Sequence, residues 1–217
     1  MENNIKMNKI ILVVCLAMLV ISLKCQEVKN IAVKPTGVYA GIDIDGQNRM
    51  MQQLYDIKTR NASIDTIFNN ITHYNPPVLY LFSQALYLNG EKEPAVQWYL
   101  YAQLNAMYDA ARCADNSAKQ AVDILEERIR PTLEDYMKQN KPMVTESAQK
   151  SIELYKRLQS NYDIRWINLH GLGAFDGFFG EETPKKTPQL TVDKLLWPGI
   201  EKNVLKEFAE RWGVKEK

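Results

Sequence analysis

The sequence predicts a mainly α fold, a compact helical bundle carrying one helical hairpin and preceded by a short extended arm. Three observations predict it. From about residue 47 onward apolar residues recur every three or four positions, the period of a helix with one buried face. Proline, glycine and asparagine interrupt that pattern at helix-length intervals. Weak alternation of apolar residues is confined to the stretch 27–47, where Ile31, Val33, Val38, Ala40, Ile42 and Ile44 lie among Pro35, Gly37, Gly41 and Gly46.

Ahead of the arm stands a leader. Lys6 and Lys9 precede an apolar run over 10–23 that ends at Lys24 and Cys25. Those fourteen residues fall short of the ~20 that span hydrocarbon, and with a basic flank they read as the apolar part of a secretory signal. Cleavage after Cys25 would release a soluble chain beginning at Gln26, acylation of Cys25 would tether it, and failure to cut would leave an anchor. Lys24 occupies the place where a lipoprotein signal carries a small residue, which favours cleavage, although Leu23 fits the third-last position poorly. The expected location is therefore periplasmic or extracellular, with membrane attachment only if Cys25 is lipidated.

The domain division expected is a signal peptide over 1–25, an extended arm over 26–46 and a helical domain over 47–217. The 192 residues after the leader suffice for one domain with a real core. The leader holds Lys6, Lys9 and Lys24 of the 27 basic residues and Glu2 of the 26 acidic ones, leaving 24 against 25. So even a balance gives no general attraction to nucleic acid. Cys15 lies in the leader and Cys25 at its border, so Cys113 is the remaining thiol and an internal disulfide is not expected. Asn61-Ala62-Ser63 and Asn70-Ile71-Thr72 match the glycosylation acceptor pattern, a frequent chance match that matters only in a host with the machinery.

Two short helices open the domain, one carrying Met50, Met51, Leu54 and Ile57 and the next Ile64, Ile67, Phe68 and Ile71. Asn75-Pro76-Pro77 ends the second, because proline disfavours helix in the residue before it, and it starts a new helix at Pro77. Leu79, Phe82 and Leu86 precede Asn89-Gly90, and Ala95, Trp98, Tyr99, Ala102 and Ala106 follow it, predicting a helical hairpin over 77–114. A helix over 117–130 carries Ala121, Val122, Leu125 and Ile129, and Pro131 starts or kinks the next piece with Leu133, Tyr136 and Met137. Lys141-Pro142 ends that piece, another helix covers 145–159, and the last runs over 200–212 and stops at Gly213. The stretch 181–189, with Pro184 and Pro188, reads as a long loop.

Gly90 at the turn, small Ala95 and Ala102 where paired helices approach, and large Tyr99 between them make the hairpin resemble one tetratricopeptide or Sel1-like unit. Ser83 and Met107 depart from that pattern, at a small-residue position and at the closing proline. The resemblance implies a hairpin that presents a fixed surface to a protein or peptide. No second copy follows at a fixed spacing, so a bundle is expected rather than a stacked solenoid.

The segment 162–176 is the densest mixture of polar, aromatic and glycine residues and is the candidate site. Asp163 and His170 have the chemistry of a carboxylate and imidazole pair, in which the carboxylate fixes the ring tautomer and raises its basicity. Arg165 suits a two-pronged hold on an anion, with Trp166 and Asn168 as further binding candidates. The competing reading pairs Asp163 with Arg165 structurally, turns Trp166 and Leu169 to the core and uses Gly171 and Gly173 for a tight turn. Trp98 and Tyr99, with Tyr101 and Tyr108, suit either a ligand groove or helix packing.

Other chemistries lack their motifs. His73 and His170 are the only histidines, without HExxH, CxxC or paired-His spacing, so no metal is expected. No G-x-S-x-G elbow is present, and Cys113 sits inside an apparent helix, with Arg112 before it and Asp115 after, as a small buried hydrophobe. Gly171, Gly173, Gly177 and Gly180 lack the following Lys-Ser or Lys-Thr of a phosphate loop, so no nucleotide cofactor is expected. Glu126-Glu127 and Glu181-Glu182 read as solvated neighbours rather than a glycosidase pair. The function expected is an exported helical binding module for a protein or peptide in the bacterial envelope, such as an immunity or adaptor protein. The alternative is an envelope hydrolase using Asp163, Arg165 and His170.

Overall fold

Asn75 and the two prolines after it show how local chemistry sets the first element of the core. The Asn75 side chain accepts the Val78 backbone N–H at 3.3 Å, satisfying a donor that the first helical turn leaves free. Proline, with no N–H to satisfy, occupies that turn without loss. The helix they open begins at Pro76, one residue before the position the sequence suggests. In the computed structural model, which describes residues 35–174 and 188–215, this is the third of seven α-helices. They are α1 (Asp45–Tyr55), α2 (Arg60–Asn69), α3 (Pro76–Leu88), α4 (Lys92–Arg112), α5 (Gln120–Gln139), α6 (Lys141–Arg157) and α7 (Trp197–Trp212). Among the described residues there is no strand, only an isolated antiparallel bridge between Cys113 and Thr191. The mainly α bundle is thus the fold.

The hairpin α3–α4 is present and turns at Gly90, whose φ of 90° suits glycine alone. Glu91 N–H donates to the Leu86 carbonyl and Gly90 N–H to that of Tyr87, each at 3.0 Å, the paired bonds of a Schellman cap. Gly213, at φ 67°, closes α7 through Val214 to Ala209 and Gly213 to Glu210. Helix α4 is the hub, packing against α3, α5, α6 and α7. Small Ala95, Ala102 and Ala106 are wholly buried on it, which lets neighbouring backbones approach, and Ser151 of α6 donates across to the Gln97 carbonyl at 3.0 Å. Phe82, Leu86, Leu100 and Leu104 are wholly buried, each contributing roughly 1.5–3 kcal/mol.

Several boundaries differ from the sequence reading for physical reasons. Pro131 lies inside an unbroken α5, because packing of Ile129 and Leu133 on both sides of it holds the helix through the missing hydrogen bond. Lys141-Pro142 opens α6 instead of ending a segment, with Pro142 in the first turn where its missing N–H costs nothing. Helix α7 likewise starts three residues early, at Trp197-Pro198. Helix α1 begins at Asp45, inside the expected arm, and a 3-10 turn at Gly37–Gly41 buries Tyr39. Ile57, expected on the buried face of α1, lies beyond its end and is exposed. The leader with Cys25, Gly177 and Gly180, Glu181-Glu182 and most of the 181–189 loop lie outside the described residues.

Candidate functional site

The C-terminal half of α4 gathers the 162–170 segment onto itself. Asp109 lies about one turn after Ala106 and two after Ala102, on the buried side of α4, and is only 2% exposed. A carboxylate in such a place needs donors, and three supply them. Arg112 Nη2 donates to Oδ1 at 2.5 Å, while Tyr162 OH and Trp166 Nε1 donate to Oδ2 at 2.9 and 2.7 Å. Burial pushes the Asp109 carboxyl up to about 6, against the lowering effect of those donors. The Arg112 guanidinium is held flat by Tyr108, 3.8 Å from its ring centre, and by Trp197 at 4.8 Å.

The two residues expected to form an acid–base pair take other partners. Asp163 opens the 3-10 helix Ile164–His170 by accepting the Arg165 backbone N–H at 2.9 Å. Its carboxylate is gripped from the side chain as well, Arg165 Nε at 2.8 Å and Nη2 at 2.6 Å. Burial raises the Asp163 pKa, but the Arg165 bonds outweigh it and hold the group below its usual value. Arg165 also donates to the Gly41 carbonyl at 3.0 Å, and Asp43 N–H reaches Asp163 at 3.4 Å. The pair therefore pins the end of the N-terminal arm to the domain. Nε and Nη2 of Arg165 are already engaged, so a two-pronged hold on a further anion would compete with the bonds to Asp163 and Gly41.

The His170 ring has no hydrogen-bond partner among the described residues. Its ring meets Trp166 edge-on with centroids 5.7 Å apart; neighbouring protein atoms lower its pKa by desolvation, yet the residue as a whole is exposed. Trp166 is 1% exposed, and Asn168 is equally buried, accepting from the Cys113 thiol at 3.3 Å. Burial raises the Cys113 pKa, which suits an inert packed thiol. Tyr99 is wholly buried, and Trp98 packs edge-on against Phe68, Phe82 and Tyr101. Gly171 and Gly173 are where the chain passes Asp115 and Tyr39 too closely for a side chain, since a Cβ at 171 would strike the Asp115 carboxylate and one at 173 the Tyr39 hydroxyl. His73 ends a 3-10 turn, its carbonyl accepting from Gln47 at 2.8 Å.

A surface feature that the sequence did not single out lies elsewhere. Helices α1 and α5 both pack on α3 and leave a groove between them of about 370 Å³, floored by Pro77 and Leu81 and walled by Met51, Tyr55, Leu125 and Arg128. Tyr55 is 56% exposed at its rim, and Ile124 beside Leu125 is 58% exposed. The signal was present in α1, where Met50-Met51 and Leu54-Tyr55 double the width of the apolar stripe: Met50 and Leu54 enter the core, and Met51 and Tyr55 face the groove.

No protein-family model, no curated protein and no solved structure matches the chain. Among the described residues no group of three or more His, Cys, Asp or Glu is arranged to hold a metal ion. No helix among them is long and apolar enough to cross a membrane.

Proposed function

We propose that this chain is an exported binding module, built around a tetratricopeptide-like hairpin, that engages a protein or peptide partner in the bacterial envelope through the groove between α1 and α5. The observation that carries the reading is the groove itself. Its floor and walls are largely apolar, Tyr55 stands exposed at its edge, and Arg128 supplies a charge for orientation. Tyrosine and arginine at the margin of an apolar depression are the residue types that dominate binding energy at protein interfaces. Tyr162, Asp163, Arg165 and Trp166, by contrast, are spent on one another, on Gly41 and on α4, which favours a structural role for them and leaves His170 as the exposed polar group of that segment.

The leader supports export, and export supports a partner outside the cytoplasm. The experiment is site-specific photo-crosslinking in intact cells from a probe at Tyr55, with a second probe at Lys156, an exposed residue of α6, as the reference. A discrete adduct from position 55 absent from position 156 is the expected outcome. Identical patterns from the two positions would remove the groove from the proposal.

A further inference from the structure

A second cleft lies on another part of the bundle, where α5, α6 and α7 meet. It has a volume of about 290 Å³, close to the lower end of small-ligand sites. Met137, Val144 and Trp212 form its apolar interior, and Arg130, Lys141 and Arg211 bring one cation from each of the three helices. Those cations differ in what they already hold. Arg211 is shared between Glu126 at 3.6 Å and Glu207 at 3.2 Å. Lys138, also at the cleft, is paired with Glu134 at 3.1 Å. Arg130 and Lys141 have no carboxylate partner among the described residues.

Two unpaired cations from two helices, facing one apolar depression, have the chemistry of a site for a single anion carried on an apolar body. An arginine fork and a lysine point charge complement one carboxylate, and Glu134 at the same wall disfavours a more highly charged ligand.

The geometry points to the cleft between α5, α6 and α7 as a binding site for a monocarboxylate with an aliphatic or aromatic body, held by Arg130 and Lys141 over Met137, Val144 and Trp212. Such a carboxylate is offered by the C-terminal residue of a peptide or by a free amphiphilic acid, and both present the same chemistry. The site is separate from the groove between α1 and α5 and does not depend on it.

The test is isothermal titration of the protein with N-acetyl-L-phenylalanine, with its uncharged amide, and with octanoate. At least one acid is expected to bind, with the amide at least about tenfold weaker than its parent acid if that acid binds. Arg130→Gln with Lys141→Gln is expected to weaken the bound acid by about tenfold or more, while Glu153→Gln, on an exposed part of α6, leaves it unchanged. Binding of only the acetyl amino acid supports the site and points to peptide C-termini, and binding of only octanoate supports it and points to amphiphiles. Equal binding of acid and amide, indifference to the double substitution in a variant with native circular dichroism, or no binding of either acid at about 10 mM overturns the inference.

Discussion

Replacing Asp109 by asparagine separates the two forces acting on that carboxylate. Burial disfavours its charge, while Arg112, Tyr162 and Trp166 favour it, and the net result is a pKa moved from 3.8 up to about 6. Because the folded pKa lies above the unfolded one, the folded state holds the proton more tightly through this interval. Wild-type stability contributed by this group is therefore fully present below pH 4 and falls as pH rises through about 6. A shift of about two units at about 1.36 kcal/mol each is worth about 3 kcal/mol between those limits. Asparagine has nearly the shape of the protonated acid and does not titrate. The stability difference, variant minus wild type, should move in favour of Asp109→Asn by up to about 3 kcal/mol between pH 4 and pH 7. Asp115 and Asp163, whose pKa values are lowered, lose their contribution only as pH falls below the usual carboxylate range, and they are common to both proteins and cancel. Urea denaturation at four pH values reads the difference directly. A difference that stays flat would show that the three donors balance burial, and one that moves toward the wild type as pH rises would show that they outweigh it.

Three other substitutions probe separate parts of the same structure. Gly171→Ala puts a methyl group against the Asp115 carboxylate, which also receives Gly173 N–H at 3.3 Å, and should cost about 1–3 kcal/mol in urea denaturation; a change below ~0.5 kcal/mol would mean that the loop yields freely. Tyr99→Phe removes a buried hydroxyl that has no hydrogen-bond partner among the described residues and should be neutral or stabilising by up to ~1 kcal/mol, so a loss above ~1 kcal/mol in thermal unfolding would reveal a partner for it. Arg165→Ala should leave global stability within ~1 kcal/mol, because its side chain is 40% exposed, yet accelerate proteolysis within residues 37–43 once the arm is unpinned. An unchanged cleavage rate would show that Tyr39, Ile42 and the Asp43–Asp163 bond hold the arm without Arg165.

The hairpin α3–α4 was legible because its signals are local: a capping asparagine, two prolines, Asn89-Gly90 and a helical apolar period. Pro131 was misleading because its local rule was overridden by contacts of Ile129 and Leu133 that no short window contains. In the 162–170 segment the sequence showed which residue types crowd together, but Asp163 had two chemically sound partners, Arg165 two residues away and His170 seven away. The bidentate geometry chose the nearer one. Asp109 carries a local signal of a buried pair, a carboxylate on an alanine-rich helix face three residues before Arg112. Its partners Tyr162 and Trp166 lie more than fifty residues along the chain and become visible only in the fold. The groove and the cleft share that limit, each being made by three helices whose mutual placement no periodicity encodes.

Partner affinity measured across two sets of variants addresses the binding role most directly. Once the adduct from position 55 identifies the partner, its dissociation constant is compared for wild type, for Tyr55→Ser with Leu125→Ser, and for Arg165→Ala with His170→Ala. The groove pair should lose about tenfold or more, since each residue contributes apolar surface to the contact, while the 165/170 pair should bind within about twofold of wild type. The reverse order, with the groove variant unaffected and the 165/170 variant impaired, would place recognition on the segment around Trp166 and contradict the proposed role of the groove.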